Sequence, residues 1–399
     1  MPIGISDLCK NMHESPTLAV TAKAQALTKQ GYKVINFGVG EPDFQTPAFI
    51  REATKFAVDN GYTKYTLVSG IPELKEAIIK KVAKDHNIQY QSNQVIISSG
   101  AKHSIYNCLK AILDPGDEVI LPVPCWASYP DMIELCGGVP VIVHGNANND
   151  FLPTFEDIKS RLTNRTKAIL INTPSNPTGN VWPKELLEKV ANLALESSFY
   201  IISDEIYEKL LYDNKKHISI ASLSKEIQNI CILINGVSKA YSMTGFRIGY
   251  ALGPVDVISA MVKYQSQTTT SATTMSQYAA KVAVESDDSC CEYMRSNFEK
   301  RRDILVQKIN AIEGISCPTP SGAFYIMIDV RKIIGKIHQG KPIFSSTDFA
   351  LAVLESKKVA LVPGDPFYAH GFCRISYALD IQDAMLGIER IKEFVEELQ

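Results

Sequence analysis

The sequence predicts an α/β protein: a large domain built on a mostly parallel sheet between helices, joined to a smaller α+β domain. Three observations carry the prediction. At 399 residues the chain exceeds the size at which one hydrophobic core keeps growing, so two domains are expected. After Gln94, short apolar runs alternate with helical segments, the pattern of strand–helix–strand units wound into a parallel sheet. From about Ser286 the alternation gives way to one long charged helix and a second set of strands. The expected division is 1–44 as an N-terminal arm and part of the smaller domain, 45–285 as the large domain and 286–399 as the smaller one.

Residues 15–31 have amphipathic periodicity, with Ser15 or Thr17 as cap, Gly31 as stop and an arm before them. Residues 34–37 lead into Gly38-Val39-Gly40-Glu41-Pro42-Asp43-Phe44, where two glycines permit close backbone approach and Pro42 keeps Glu41 extended. That backbone either faces a ligand or makes a plain turn. Residues 46–60 and 72–85 read as helices separated by a loop carrying Tyr62 and Tyr65. The runs 95–98, 118–121, 139–143, 168–171, 200–203 and 230–234 read as strands, most of them buried on both faces. Helices are expected over 102–113, 127–136, 155–162 and 184–196. Residues 261–280 hold apolar helical patterns around the Ser/Thr-rich segment 266–274. A helix over 291–313, strands over 322–328, 359–362 and 372–377, and a helix from Ile381 complete the chain.

Composition narrows the function. With 41 basic and 43 acidic residues the formal net charge is -2, which gives no field to attract nucleic acid or an anionic membrane, so small-molecule partners are expected. The nine cysteines are odd in number, scattered and without C-x-x-C spacing, against both a disulfide framework and a zinc site, and no metal is expected. No leader-like N-terminus and no run of about 18 apolar residues occurs. A reducing, cytoplasmic setting is the expectation.

Four strand ends carry candidate chemistry, and in such sheets ligands bind beyond the carboxyl ends of the strands. Ser99-Gly100-Ala101-Lys102-His103 opens a helix whose first N–H groups suit an anion, unless it is a simple glycine turn. In Asn172-Thr173-Pro174-Ser175-Asn176-Pro177-Thr178-Gly179 two prolines stiffen the loop around Asn176, and Pro177 raises the chance of a cis bond. Asp204 ends an apolar strand, where a carboxylate is costly unless a cation such as a pyridinium nitrogen pairs with it; a helix cap is the competing role. Lys239 follows a strand in a stretch of small residues, Gly236 to Gly249, with Arg247 eight positions on. A buried lysine amine with cationic neighbours forms a Schiff base with a carbonyl, as pyridoxal phosphate chemistry requires; the alternative is a solvated loop lysine.

Asn176 in PSNPTG, Asp204 and Tyr207 in DEIY, and Lys239 with Arg247 together resemble the class I pyridoxal-phosphate aminotransferases of fold type I, the aspartate aminotransferase group. SPTLAVTAKA, GVGEPDF, DPGDEVI and QYAA extend the resemblance to bacterial-type members over nearly the whole chain. The resemblance implies a seven-stranded type of sheet in the large domain. It also implies that Lys239 binds the cofactor covalently and moves a proton, that Asp204 keeps the ring nitrogen protonated, and that Tyr207 and Asn176 hydrogen-bond its phenolic oxygen. Trp126 would stack on the ring. Gly100, Ala101, Lys102, Ser238 and Arg247 would hold the phosphate, joined by Tyr65 from the partner of a homodimer. Gly40 and Arg374, with Trp126 and Asn176, would bind the substrate, Arg374 taking the α-carboxylate in a bidentate fork, and the smaller domain would close over it.

The substrate's distal group is less determined. No basic residue occupies 266–274, so Lys102 or His103 is the candidate, and Lys102 is equally readable as a surface charge. The overall pattern favours aspartate with 2-oxoglutarate in a ping-pong transfer. Aromatic, alanine or kynurenine-type aminotransferases and a C–S lyase on the same fold remain open, as does a non-catalytic ligand sensor. Against the sensor, only 37 residues precede the GVGEPDF region, which are expected to be too few for a DNA-binding domain.

Overall fold

The computed structural model describes residues 4–6, 10 and 16–399. The first helix, Pro16–Lys29, contains Thr17, whereas the Ser15 cap and most of the arm lie outside the described residues. A two-residue strand, β1 (Ile35–Asn36), follows. The main sheet then takes β2 (Val95–Ser98), β3 (Glu118–Val123), β4 (Val139–His144), β5 (Thr166–Asn172), β6 (Tyr200–Asp204), β7 (Cys231–Gly236) and β8 (Gly249–Leu252), in the spatial order β2-β8-β7-β6-β5-β3-β4. Only β8 opposes the others, being antiparallel to both β2 and β7.

Alternate side chains of these strands feed two cores, as a period of two requires. Ile97, Ile120, Ile169, Ile201 and Leu233 enter one face's cluster; Ile96, Val119, Leu170, Ile202 and Ile232 enter the other. Helices Ala48–Asp59, Pro72–His86, Lys184–Ser197 and Thr274–Val284 contribute to the first, and Ala101–Ile112, Ser128–Leu135 and Val255–Ser266 to the second. Neither face is left to solvent, which explains why the strands read as continuous apolar runs.

A third core forms around a three-stranded sheet of β9 (Tyr325–Asp329), β13 (Val362–Pro363) and β14 (Phe372–Ser376), covered by helices Ser289–Asn310, Ser346–Lys357 and Ile381–Glu396. Small pairs complete this region: β10 (Ile337–His338) with β11 (Lys341–Pro342), and β12 (Val359–Ala360) with β1. Ile206, Tyr207 and Leu210, which follow β6 directly, pack into this third core, so the end of the central strand sits where the two sheets meet.

Three readings need correction. β8 was not anticipated, because its four residues follow a run of small residues and a left-handed Arg247 (φ 56°), which hides the apolar signal. The strand expected over 359–362 is two strands in different sheets: β12 pairs parallel to β1, while β13 pairs antiparallel to β14. Periodicity reports which face a side chain takes and not which neighbour its backbone joins. The helix expected over 291–313 ends at Asn310. Among the described residues no helix is long and apolar enough to cross a membrane.

Candidate active site

The strand register gathers the site. Asn172 of β5 lies opposite Asp204 of β6, and Gly249 of β8 lies opposite both Gly236 of β7 and Ser98 of β2. The carboxyl ends of four strands thus open into one cavity of about 470 Å³, to which β9 and β14 contribute Tyr325 and Arg374. At one end, Gly100 (φ +92°) precedes helix Ala101–Ile112 as its cap, and a Cβ on it would come 2.2 Å from Arg247 Nη2. A Cβ on Gly249 would meet the Ala101 backbone nitrogen at 2.1 Å. Both glycines let the helix start and the Arg247 guanidinium approach one another, concentrating N–H donors and positive charge where an anion would sit. Arg247 is held by its own loop, donating to the Thr244 carbonyl at 3.0 Å.

Lys239 is buried by its surroundings, and its Nζ donates to the Gly40 carbonyl at 2.6 Å. Burial lowers its pKa to about 8; Glu41 opposes the fall, while Arg247 and Arg374 add to it. A good fraction of neutral amine near pH 8 is what a nucleophile or general base needs. Asp204 is moved the other way: burial raises its carboxyl to about 6 against hydrogen bonds from the Tyr129 hydroxyl (2.7 Å) and the Ile206 N–H (3.1 Å). A turn rather than a helix follows β6, so Asp204 is not a helix cap.

Arg374 is 1% exposed, and burial lowers its pKa. Its Nη1 donates to Asn176 Oδ1 at 2.9 Å and its Nη2 to the Gly38 carbonyl at 3.0 Å, whereas the buried Nε has no partner. With Asn176 Oδ1 taken by the guanidinium and its backbone N–H bound to Asn172 Oδ1 (2.8 Å), the Asn176 amide has its two N–H donors to offer. The peptide bond between Asn176 and Pro177 is cis. Tyr207 is buried, which raises its pKa well above the usual phenol range, and its hydroxyl lies 2.9 Å from that of Tyr325.

Of the residues singled out in the sequence, Gly40, Ala101, Lys102, Trp126, Asn176, Asp204, Tyr207, Ser238, Lys239, Arg247 and Arg374 all line the cavity. Gly100 backs it through Arg247. Tyr65 does not line it and is 90% exposed, and His103 turns away to accept the Ser99 N–H at 3.2 Å. Lys102 is exposed and lines the cavity: partial burial lowers its pKa, Arg247 adds to the fall, and its Nζ lies 3.0 Å from Ser128 Oγ and 4.5 Å from the Trp126 ring centroid. Sequence reasoning missed Tyr129 and Tyr325. Tyr129 stands three residues after Trp126, at helical spacing, which is the signal that could have found it; Tyr325 had none, since it reads as one more apolar strand position.

These groups fit a flat ligand with a phosphate, a ring cation and an aldehyde. The glycine cradle with Arg247 suits the phosphate, the raised buried carboxyl of Asp204 suits the ring cation, and the lowered amine of Lys239 suits the aldehyde. The unpartnered Nε of Arg374 marks a guanidinium with capacity left for a carboxylate.

Residues 32–391 match the family model described as aminotransferase class I and II. An aspartate aminotransferase of Bacillus sp. (strain YM-2) is 45% identical over 98% of this chain and 99% of its own length. The crystal structure of the aspartate aminotransferase from Rhizobium meliloti superposes with a TM-score of 0.96 at 37% identity, covering all of both chains. The Thermus thermophilus aspartate aminotransferase with maleate gives a TM-score of 0.92 at 40% identity, over 98% of this chain and all of that one.

Proposed function

Because the chain belongs to the class I and II aminotransferases and is a pyridoxal-phosphate-dependent transaminase, we propose that its amino donor is aspartate and its acceptor 2-oxoglutarate, in a ping-pong reaction at the cavity around Lys239. The observation that carries the proposal is a cavity with a buried arginine, Arg374, for the α-carboxylate and a second cation, Lys102, on its wall for a distal carboxylate.

Pyridoxal phosphate, when bound, supplies an aldehyde that links to amines and a ring that accepts the electron pair left at the substrate Cα. Lys239 provides the amine for the link and, once freed from it, takes the Cα proton; its pKa of about 8 suits both tasks near neutral pH. Asp204 holds a proton at the ring nitrogen, and Tyr129 keeps the Asp204 carboxylate oriented. Tyr207 and Asn176 donate to the phenolic oxygen, Asn176 through the amide protons that Arg374 leaves free. Trp126 covers the ring. Ala101, Lys102 and Gly100 through the helix start, with Ser238 and Arg247, hold the phosphate. Arg374 binds the α-carboxylate beside the Gly40 backbone, and closure of a small domain, 286–399 with part of 1–44, over the large domain, 45–285, excludes water.

The distal carboxylate goes to Lys102 Nζ, steadied by Ser128 and Trp126. The Thermus thermophilus relative was solved with maleate, a dicarboxylate, which supports the same substrate class. A donor panel of aspartate, tyrosine, alanine and kynurenine with 2-oxoglutarate tests this. Aspartate is expected to dominate, and Lys102→Ala to raise its KM about 10- to 100-fold while leaving monocarboxylic donors little changed. Activity confined to aromatic donors would defeat the aspartate choice, and ammonia or pyruvate release without a keto acid would point to a lyase.

Tyr65 reaches the phosphate of a partner subunit in a homodimer, which accounts for so large an aromatic side chain being 90% exposed within one chain. Tyr65→Phe is expected to weaken pyridoxal phosphate binding about tenfold without changing the dimer mass in sedimentation. A monomeric holoenzyme would remove this role. The eight described cysteines are free, in keeping with a cytoplasmic setting.

A further inference from the structure

The carboxylate end and the cofactor end of the cavity meet at one side chain to which neither role has been given. Tyr325 in β9 is 1% exposed. β9 pairs antiparallel with β14, Met327 opposite Arg374 and Tyr325 opposite Ser376, so Tyr325 is a diagonal neighbour of Arg374 on the same sheet face. The Arg374 guanidinium lies over its ring, 4.6 Å from the centroid. At the other end of the ring, its hydroxyl is 2.9 Å from the Tyr207 hydroxyl. The same hydroxyl crowds Gly40, where a Cβ would come within 3.1 Å, and the Gly40 carbonyl is the acceptor for Lys239.

We propose that Tyr325 is a positioning residue that ties the two ends together: its ring fixes the Arg374 guanidinium, and its O–H donates to the Tyr207 oxygen so that the Tyr207 proton points into the cavity. The proposal rests on the reading that Tyr207 donates to the phenolic oxygen of the cofactor. Tyr207 has one proton. If it donated to Tyr325, nothing would be left for the cavity; with Tyr325 as donor the two hydroxyls form a chain in which the first bond strengthens the second. Burial keeps both phenols protonated, which preserves the chain. The ring serves separately, since a guanidinium with an unpartnered Nε inside the protein gains from an aromatic face beneath it.

The test separates the two ends of the side chain. The visible absorbance of bound pyridoxal phosphate is titrated against pH in the wild-type holoenzyme, Tyr207→Phe, Tyr325→Phe and the double variant, with KM for aspartate measured in each and in Tyr325→Leu. Loss of donation to a phenolate disfavours the deprotonated form, so Tyr207→Phe is expected to raise the midpoint by about 1 pH and Tyr325→Phe by about 0.5. The double variant should match Tyr207→Phe alone, because Tyr325 acts through Tyr207. Tyr325→Phe keeps the ring and should hold KM within about twofold, whereas Tyr325→Leu loses it and should raise KM about tenfold. A midpoint unmoved by Tyr325→Phe but moved by Tyr207→Phe overturns the hydroxyl role, as do additive shifts. A midpoint unmoved by Tyr207→Phe overturns the reading of Tyr207 and the proposal with it. A KM unchanged in Tyr325→Leu overturns the ring role.

Discussion

Lys239→Ala is expected to abolish the covalent link to pyridoxal phosphate and to lower turnover with aspartate by at least about 10⁴-fold, the upper range for loss of a general acid–base group. The loss is double, since the same amine forms the link and later takes the Cα proton. Lys102 also has its amine in the cavity, but that amine sits against Ser128 and Trp126, away from the Gly40 carbonyl that holds Lys239. It should not substitute. Borohydride reduction followed by peptide mass spectrometry reads the link, and a stopped-flow half-reaction reads the proton transfer. Lys239→Arg should behave like Lys239→Ala, because a guanidinium stays protonated and cannot attack an aldehyde. A reducible adduct surviving in either variant, or turnover within tenfold of wild type, would sink the role of Lys239.

The strand ends that make this site were legible because each breaks an apolar run with a residue whose burial needs a reason. Asp204 and Lys239 stand out for that reason, and Asn176 for the prolines around it. The sheet was legible because β2 to β7 each carry a short apolar run, buried on both faces in the central strands and only partly buried in the edge strand β4. β8 was not, because four residues after a left-handed arginine carry too little pattern. Arg374 needed the family resemblance: an arginine alternating with apolar residues looks like a solvated strand position until β9 is laid beside it. Tyr129 and Tyr325 escaped because their work depends on which group their hydroxyls meet across the fold, the Asp204 carboxylate 75 residues away and the Tyr207 hydroxyl 118 residues away. Tyr65 marks a different limit, since its proposed partner is on another chain.

Asp204→Asn should cost about 10³-fold in turnover, the scale of losing a placed charge that stabilises a developing one in a water-poor site. The amide keeps the shape of the side chain: its single oxygen can still accept from the Ile206 N–H while its NH2 faces the Tyr129 oxygen as a donor, so the loss reads the charge together with one reversed hydrogen bond. The same carboxyl makes a prediction about stability. Burial raises it from the ordinary 3.8 to about 6, so the folded chain without cofactor binds this proton more tightly than the unfolded chain does. Its stabilisation is complete below the unfolded pKa of about 3.9 and is lost as pH rises through about 6, an effect of about 3 kcal/mol. Above pH 6 the carboxylate is a buried anion, and a protonated ring nitrogen is the cation that compensates it. Pyridoxal phosphate should therefore raise Tm more at pH 7 than at pH 5, a comparison in which Lys239, at about 8, stays mostly protonated. In Asp204→Asn the two increments should converge. Equal increments in the wild type would mean that Asp204 does not face a cation, and the proton it is assigned to hold would have to be held elsewhere.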